Sequence, residues 1–77
     1  MRFSKLECVV LAHDIPEHDL RAGDLGTVVE VYPKGGLEVE FVLGSGVTQA
    51  LVTLSEQDVR KIDSRDLLAT RRLAKVA

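Results

Sequence analysis

One stretch of the sequence, LEVEFV at residues 37–42, constrains the fold more than any other. Its residues alternate strictly, so that Leu37, Val39 and Phe41 share one face while Glu38 and Glu40 share the other. Successive side chains of a β-strand point to opposite faces, and this pattern therefore predicts a strand with one buried side and one side in water. We expect the chain to be built mainly from β-structure around this strand.

Four further β-branched or apolar runs accompany this strand, and turn residues separate them. PKGG at residues 33–36 and LGSG at residues 43–46 are typical turns, because proline fixes φ and glycine takes positive φ at little cost. SEQD at residues 55–58 suits a single helical turn. Five short strands are too few for two packed sheets, so we expect a small SH3-like barrel over residues 5–62. The predicted strands are residues 6–11, 26–32, 37–42, 47–54 and 59–62.

The same runs predict which side chains form the core. Cys8 lies among valines and is interpreted as a small buried hydrophobe, not as a nucleophile. Gly23 and Gly26 are expected to allow the backbone turn that starts the second strand. They do not predict a phosphate loop, because a strand and not a helix follows them. The predicted core consists of Leu6 or Cys8, Val10, Val28, Val39, Phe41, Val52, Leu54, Val59 and Ile62.

After Asp63 the pattern changes from strand to helix. RDLLATRRLAKVA is rich in strong helix formers, and Asp63 or Ser64 can cap a helix N-terminus. This predicts a C-terminal α-helix at residues 64–76, which must dock on the barrel or on a partner because a three-turn helix is not stable alone in water. Docking across a dimer interface would bury more of the helix, so we predict a homodimer. The predicted interaction surface comprises Leu67, Leu68, Leu73, Arg71, Arg72, Lys75 and Tyr32.

Length and charge bound the functions that are open to this chain. Its 77 residues allow one domain, and its single cysteine allows no internal disulfide, which favours a cytoplasmic setting. The N-terminal apolar run is too short to suggest a signal peptide or a membrane span. Residues 1–59 hold four basic and ten acidic side chains, a net charge of −6, whereas residues 60–77 hold six basic and two acidic ones, a net charge of +4. Nucleic-acid affinity comes mainly from neutralised phosphates, so the acidic body argues against a contact made by the barrel.

Two resemblances follow from these motifs. AGDLGTVVEVYPKGGLEVEF, followed by LVTLSEQDVRKI, resembles the KOW and related SH3-like barrels, in which a one-turn helix leads into the last strand. More closely, the chain resembles a bacterial domain-of-unknown-function family of short proteins. The resemblance speaks for the fold and implies no catalytic residues. The positions that carry it are Asp14, Pro16, Leu20, Gly23, Gly26, Thr27, Val28, Tyr32, Pro33, Val39, Glu40 and Phe41.

Two functional hypotheses of different classes stay open. The first is a non-enzymatic protein-interaction or accessory module, without catalytic site, cofactor or metal, that binds a protein partner or itself. The second is a KOW-like nucleic-acid or ribosome-associated module, whose contacts would be Arg60, Lys61, Arg71, Arg72 and Lys75. The loop HDIPEHD places His13 and His18 among carboxylates, which could suggest a metal or an acid–base site, but we interpret it as a solvated loop.

Overall fold

The protein is described here by a computed structural model that covers residues 2–74. All five predicted strands are present, with small shifts at their ends, and the helical turn expected at SEQD is a 3-10 turn at Glu56–Asp58. A second 3-10 turn, Pro16–His18, lies in the long loop after the first strand. The strands are β1 Cys8–Leu11, β2 Leu25–Val31, β3 Gly36–Val42, β4 Thr48–Ser55 and β5 Val59–Lys61.

The five strands form one antiparallel sheet in the order β4-β3-β2-β1-β5. The predicted closed barrel is not found, because β4 and β5 are the two edges of this sheet and do not pair within the part of the chain that the structure describes. The 3-10 turn after β4 carries the chain to the opposite edge, where the three residues of β5 pair with β1 alone. In that turn Asp58 accepts hydrogen bonds from the amide and the hydroxyl of Ser55, at 2.8 and 3.1 Å.

The core lies on one face of the sheet, and the alternation of β3 sets it as predicted. Leu37, Val39 and Phe41 are buried. Of the other predicted core residues, Val10, Val28, Leu54 and Val59 are buried and Val52 is partly buried. One buried cluster therefore gathers side chains from every strand and from the long loop. It comprises Phe3, Val9, Leu11, Ile15, Leu20, Val28, Leu37, Val39, Phe41, Ala50, Leu54 and Val59.

Three predicted core positions are wrong, and all lie at strand ends. Leu6 is 76% exposed and precedes β1 in a left-handed conformation, with φ 72°. Cys8, the first residue of β1, is also exposed, because the register of the strand turns Val9 to the cluster instead. Ile62 follows β5 and is 38% exposed. The place in the cluster expected of Leu6 or Cys8 is taken from further upstream by Phe3, which is 1% exposed.

The glycine pair behaves differently at its two positions. Gly23 has φ +97°, as expected of a turn residue. Gly26 lies inside β2 and does not have positive φ. The absence of a side chain there leaves space for neighbouring core side chains. A Cβ atom there would lie 2.6 Å from Cγ1 of Val39 and 2.9 Å from Cε1 of Phe41. Gly26 is therefore required by core packing and not by a turn.

The predicted C-terminal helix is wrong over the described residues. Residues 65–74 have no regular secondary structure, and residues 75 and 76 of the predicted helix lie outside the described residues. Side-chain contacts with the sheet and its loops hold the segment along another path. Asp66 binds Arg60 through two hydrogen bonds of 2.8 and 2.9 Å, and Arg71 binds Asp24. Such contacts compete with a short helix that is marginal in isolation. Within residues 2–74 there is no helix long and apolar enough to cross a membrane.

Candidate interaction groove

The loop between β1 and β2 ends in a hydrogen-bonded turn that presents the carboxylate of Asp24. The amide of Leu11 donates to the carbonyl oxygen of Asp24, and the amide of Gly23 donates to the carbonyl oxygen of Leu11, both at 2.8 Å. The amide of Arg21 donates to Oδ2 of Asp24 at 2.8 Å. The backbone of the loop thus sets both the position and the orientation of the carboxylate.

The C-terminal segment, residues 62–74, places the guanidinium of Arg71 on this carboxylate. Nε donates to Oδ1 of Asp24 and Nη2 donates to Oδ2, each at 2.8 Å, and Nη2 also donates to the carbonyl oxygen of Asp19 at 2.7 Å. A planar guanidinium matches a carboxylate in this two-point geometry, which strengthens and orients the pair. The side chains of Arg71 and Asp24 are 27% and 18% exposed, so water screens this pair less than the other pairs of the sheet and tail.

The pair shifts the pKa values of both partners. Partial burial raises the pKa of Asp24, but the hydrogen bonds from Arg71 and from the Arg21 amide outweigh it, and the pKa lies below its ordinary value. The pKa of Arg71 is raised, chiefly by its hydrogen bonds to Asp24. Both groups are therefore charged at neutral pH.

An open groove of about 900 Å³ lies beside this pair, between the C-terminal segment and the β3–β4 turn. Its apolar wall comes from the loop, from β2 and β3 and from the turn. Residues 69–73 line the opposite side. We call this feature the tail groove. The apolar residues of its wall are Leu20, Leu25, Phe41, Val42 and Leu43.

Comparison with known proteins finds one relationship. The sequence model of the family described as Domain of unknown function (DUF4926) matches residues 5–61. The chain belongs to the DUF4926 family. No curated protein and no solved structure matches it significantly. The match includes the loop of Asp24 and every strand, whereas Arg71 and the rest of residues 62–74 lie beyond it.

The structure brings only part of the predicted interaction surface to the tail groove of this DUF4926 domain. Arg71, Arg72 and Leu73 line it, and Leu73 is half-buried. Leu67 and Leu68 come before the residues that line the groove and face solvent, at 89% and 61% exposure. Tyr32 is elsewhere, in the β2–β3 turn, where its hydroxyl lies 3.5 Å from Oε1 of Glu38. Lys75 lies outside the described residues.

Sequence reasoning missed the acidic half of the groove. Asp24 stands between Gly23 and Gly26 in the sequence, where we interpreted only the glycines. The one signal that pointed to it was the charge difference between the acidic body and the basic tail. Opposite net charges attract each other, but they do not select one carboxylate among ten.

The histidine loop forms a second, smaller depression of about 250 Å³ on the DUF4926 domain. Nε2 of His13 lies 2.7 Å from Oδ1 of Asp58, and the carbonyl oxygen of His18 accepts a hydrogen bond from the Gln49 side chain at 3.3 Å. The hydrogen bonds with Asp58 and with the Asp14 carbonyl raise the pKa of His13. Within residues 2–74 no group of three or more His, Cys, Asp or Glu side chains is placed to hold a metal ion. The geometry ties the loop to β4 and to the turn that follows it.

Proposed function

We propose that this DUF4926 protein is a small non-enzymatic interaction module whose tail groove contacts a protein partner. The observation that carries the proposal is the tail groove itself, whose apolar wall lies next to the partly buried Arg71–Asp24 pair. Partner-binding surfaces commonly combine apolar area with a few oriented polar groups. The acidic net charge of the body adds a preference for partners with basic segments.

A binding role is favoured over an enzymatic one by the use that the domain makes of its titratable groups. His13 and Asp58 are the residues most suggestive of acid–base chemistry, and Asp58 is already held by Ser55 in the 3-10 turn. That arrangement joins two loops and stabilises the fold, which is a sufficient reason for the pair to be present.

We also propose that the fold is an open relative of the SH3-like barrels. Its support is the strand order β4-β3-β2-β1-β5 together with the 3-10 turn directly before the last strand, which is one of the features that the chain shares with KOW-type domains. In this proposal the short β5 pairs with β1 and leaves the β4 edge open. An experimental structure in which β4 and β5 share no ladder hydrogen bonds, on an SH3-like arrangement of strands, is the expected result.

Nucleic-acid binding is the less favoured alternative, since carboxylates already hold much of its expected contact set. Arg60 pairs with Asp66 at 2.8 Å, Lys61 with Glu7 at 2.7 Å, and Arg71 with Asp24. Phosphate binding would have to displace these carboxylates before it gained affinity from the released counterions. Titration of labelled RNA at low salt tests this alternative, and we expect no binding that falls steeply with added salt.

Homodimer formation and a cytoplasmic location stay predictions. The helix that motivated the dimer is absent from the described residues, but the tail groove offers another route, in which two copies exchange residues 69–73. Sedimentation at high micromolar concentration measures self-association, and fractionation of cells of the source organism measures location.

Site-specific photo-cross-linking in cells of the source organism tests the proposed function. A photoreactive residue at Ser45, on the rim of the tail groove, is compared with the same residue at Lys34, an exposed position in the β2–β3 turn. We expect a discrete protein adduct from position 45 and none from position 34. The adduct should disappear when Leu43→Asp places a charge in the apolar wall, in a variant shown by its melting curve to be folded. Equal adducts from both positions, or none from position 45, would refute the proposal.

A further inference from the structure

We infer that the acceptor site formed by the Asp24 carboxylate and the Asp19 carbonyl, at the edge of the tail groove, recognises an extended protein segment that carries an arginine, and that residues 69–73 of the chain bind there as a built-in ligand. The inference rests on the proposed function and names the chemistry of the segment that the groove takes. Three observations carry it. The acceptor groups are held by residues outside the C-terminal segment, their geometry matches a guanidinium, and an apolar wall lies beside them.

The acceptor groups that bind Arg71 are held in place by contacts outside the C-terminal segment. The carboxylate of Asp24 is oriented by the amide of Arg21, and its backbone is held on the end of β1 through Leu11. The carbonyl of Asp19 follows the 3-10 turn in a left-handed conformation, with φ 58°, and the amide of Asp19 is held by the carbonyl of Pro16. All these groups lie within the residues that match the DUF4926 family, whereas Arg71 does not. A preorganised acceptor site of this kind loses little entropy when a ligand binds.

The acceptor geometry selects arginine over lysine. Two carboxylate oxygens and one carbonyl oxygen receive three N–H···O bonds from two nitrogens of one planar group, at 2.7–2.8 Å. The ammonium of lysine is a single point donor and cannot reproduce both parallel bonds to the carboxylate. A ligand with lysine at this position should therefore bind more weakly, although its charge is the same.

The surroundings of the site favour an extended segment with an aliphatic residue after the arginine. Residues 69–73 have no helical structure, and Leu73, two positions after Arg71, lines the tail groove and is half-buried. The wall contributed by Leu20, Leu25 and Phe41 is apolar, and open space remains alongside the segment. Leu67 precedes the residues that line the groove and is 89% exposed, so its position provides a control for Arg71.

A peptide-binding experiment on the full chain tests the inference. The variant Arg71→Ala vacates the site and is titrated with a fluorescent peptide of the chain's own sequence LLATRRLA, residues 67–74. We expect the peptide to bind this variant about tenfold more tightly than the wild-type chain, in which the built-in segment competes. Replacing the first arginine of the peptide by citrulline, which has the same shape without the charge, should abolish binding. Replacing the first leucine of the peptide, the counterpart of the exposed Leu67, by alanine should change little.

Further variants separate loss of the site from loss of the fold. Arg71→Lys keeps the charge and provides a second host for the peptide if Arg71→Ala does not fold, and adding Asp24→Asn or Asp24→Glu should remove binding in either host. The inference is overturned if folded hosts do not bind the peptide, or if binding ignores the citrulline replacement. Cross-linking from position 45 with no binding of the peptide would retain the proposed function and discard arginine recognition. An exchange of tails between two copies, seen as a dimer of the wild-type chain that Arg71→Ala abolishes, would support it.

Discussion

The sheet, residues 8–61, and the C-terminal segment, residues 62–74, are held in place by different forces. The sheet buries a cluster in which Val9, Val28, Leu37 and Val39 have no accessible surface. The C-terminal segment has no fully buried side chain and binds through the Arg60–Asp66 and Arg71–Asp24 pairs. Apolar burial is non-directional and scales with area, whereas ion pairs depend on geometry, pH and salt.

This difference indicates how each region responds to change. Loss of one large core side chain affects the whole cooperative unit, because the side chains of a packed interior share their contacts. Loss of one ion pair in the segment affects a local attachment, which opens more readily than the sheet. The sheet is therefore suited to be a stable receptor and the segment to be a detachable ligand.

The largest expected effect is in the sheet. Phe41→Ala removes a side chain that is 3% exposed and should destabilise the fold by about 3–5 kcal/mol through lost burial and a cavity. A domain of this size has a total stability of roughly 5 kcal/mol or little more, so most of the chain should unfold. Urea denaturation measures the change, and Leu67→Ala in the segment, at 89% exposure, is its control. Similar midpoints for the two variants would abolish the contrast between the regions.

A smaller loss of folding stability is expected from a substitution at Gly26. Gly26→Ala places a Cβ atom within 3 Å of Val39 and Phe41, both buried, and overpacking of this kind costs about 1–3 kcal/mol. Thermal or urea melts of the variant measure it. Gly44→Ala is the matched control, since a Cβ atom there has nothing within 4 Å. Equal costs for the two substitutions would show that packing is not the reason for the glycine in β2.

The next prediction concerns the attachment of the C-terminal segment. Arg71→Ala removes three hydrogen bonds and leaves Asp24 half-buried and unpaired, at a cost of about 1–2 kcal/mol. Arg72→Ala removes an exposed arginine and should change stability by less than about 0.5 kcal/mol. Urea melts measure both values, and NMR shifts of the residues around Asp24 should move in the first variant only. A segment that is equally attached in both would contradict the assignment of Arg71 as the anchor.

Acid should detach the segment while the apolar core persists. The pKa of Asp24 in the folded protein lies below its ordinary 3.8, so the stability from its pair is complete above that pH and is lost as the pH falls through the lowered value. The Nε–H signal of Arg71 should be observable by NMR at neutral pH and disappear at a pH below 3.8. In Asp24→Asn the signal should be weak throughout, and its loss near neutral pH in the wild type would contradict the predicted direction.

The smallest effect is expected at a strained position outside the core. Leu6 has φ 72° and is 76% exposed, so its side chain gains little from burial while its backbone is unfavourable for leucine. Asparagine tolerates this conformation, and Leu6→Asn should raise stability by up to about 1 kcal/mol. Leu67→Asn, at an exposed position without positive φ, should leave stability unchanged. Destabilisation by Leu6→Asn would show that Leu6 contributes contacts that its exposure does not reveal.

Strand positions were predictable where a local pattern specifies them. The alternation from Leu37 to Phe41 placed β3 and its buried face, and turn residues such as Gly35, with φ +90°, marked the neighbouring strand ends. Strand ends were less predictable. Whether Cys8 or Val9 faces the core depends on the register with β2 and β5, and the sequence of β1 alone does not contain that register.

Only the residues that the tail contributes to the candidate site were predictable from the sequence. Arg71, Arg72 and Leu73 were identified from the composition of the tail, but as one part of a helix. Asp24 was not identified, since a single carboxylate in a polar loop has no pattern of its own. Phe3 was missed for the same reason, because an isolated aromatic residue upstream of a strand has no periodicity.

The sequence alone therefore established the β-strands, their turns, the buried face of β3 and the opposite charges of body and tail. Each of these follows from residues close together in the chain. The path of the C-terminal segment was decided only by the tertiary structure. The stability of a three-turn helix is marginal in water, so a small difference in free energy decides between the helix and other conformations. Among the contacts that compete with the helix is the binding of Arg71 to Asp24, 47 positions earlier in the sequence, which exists only after the loop has folded onto β1.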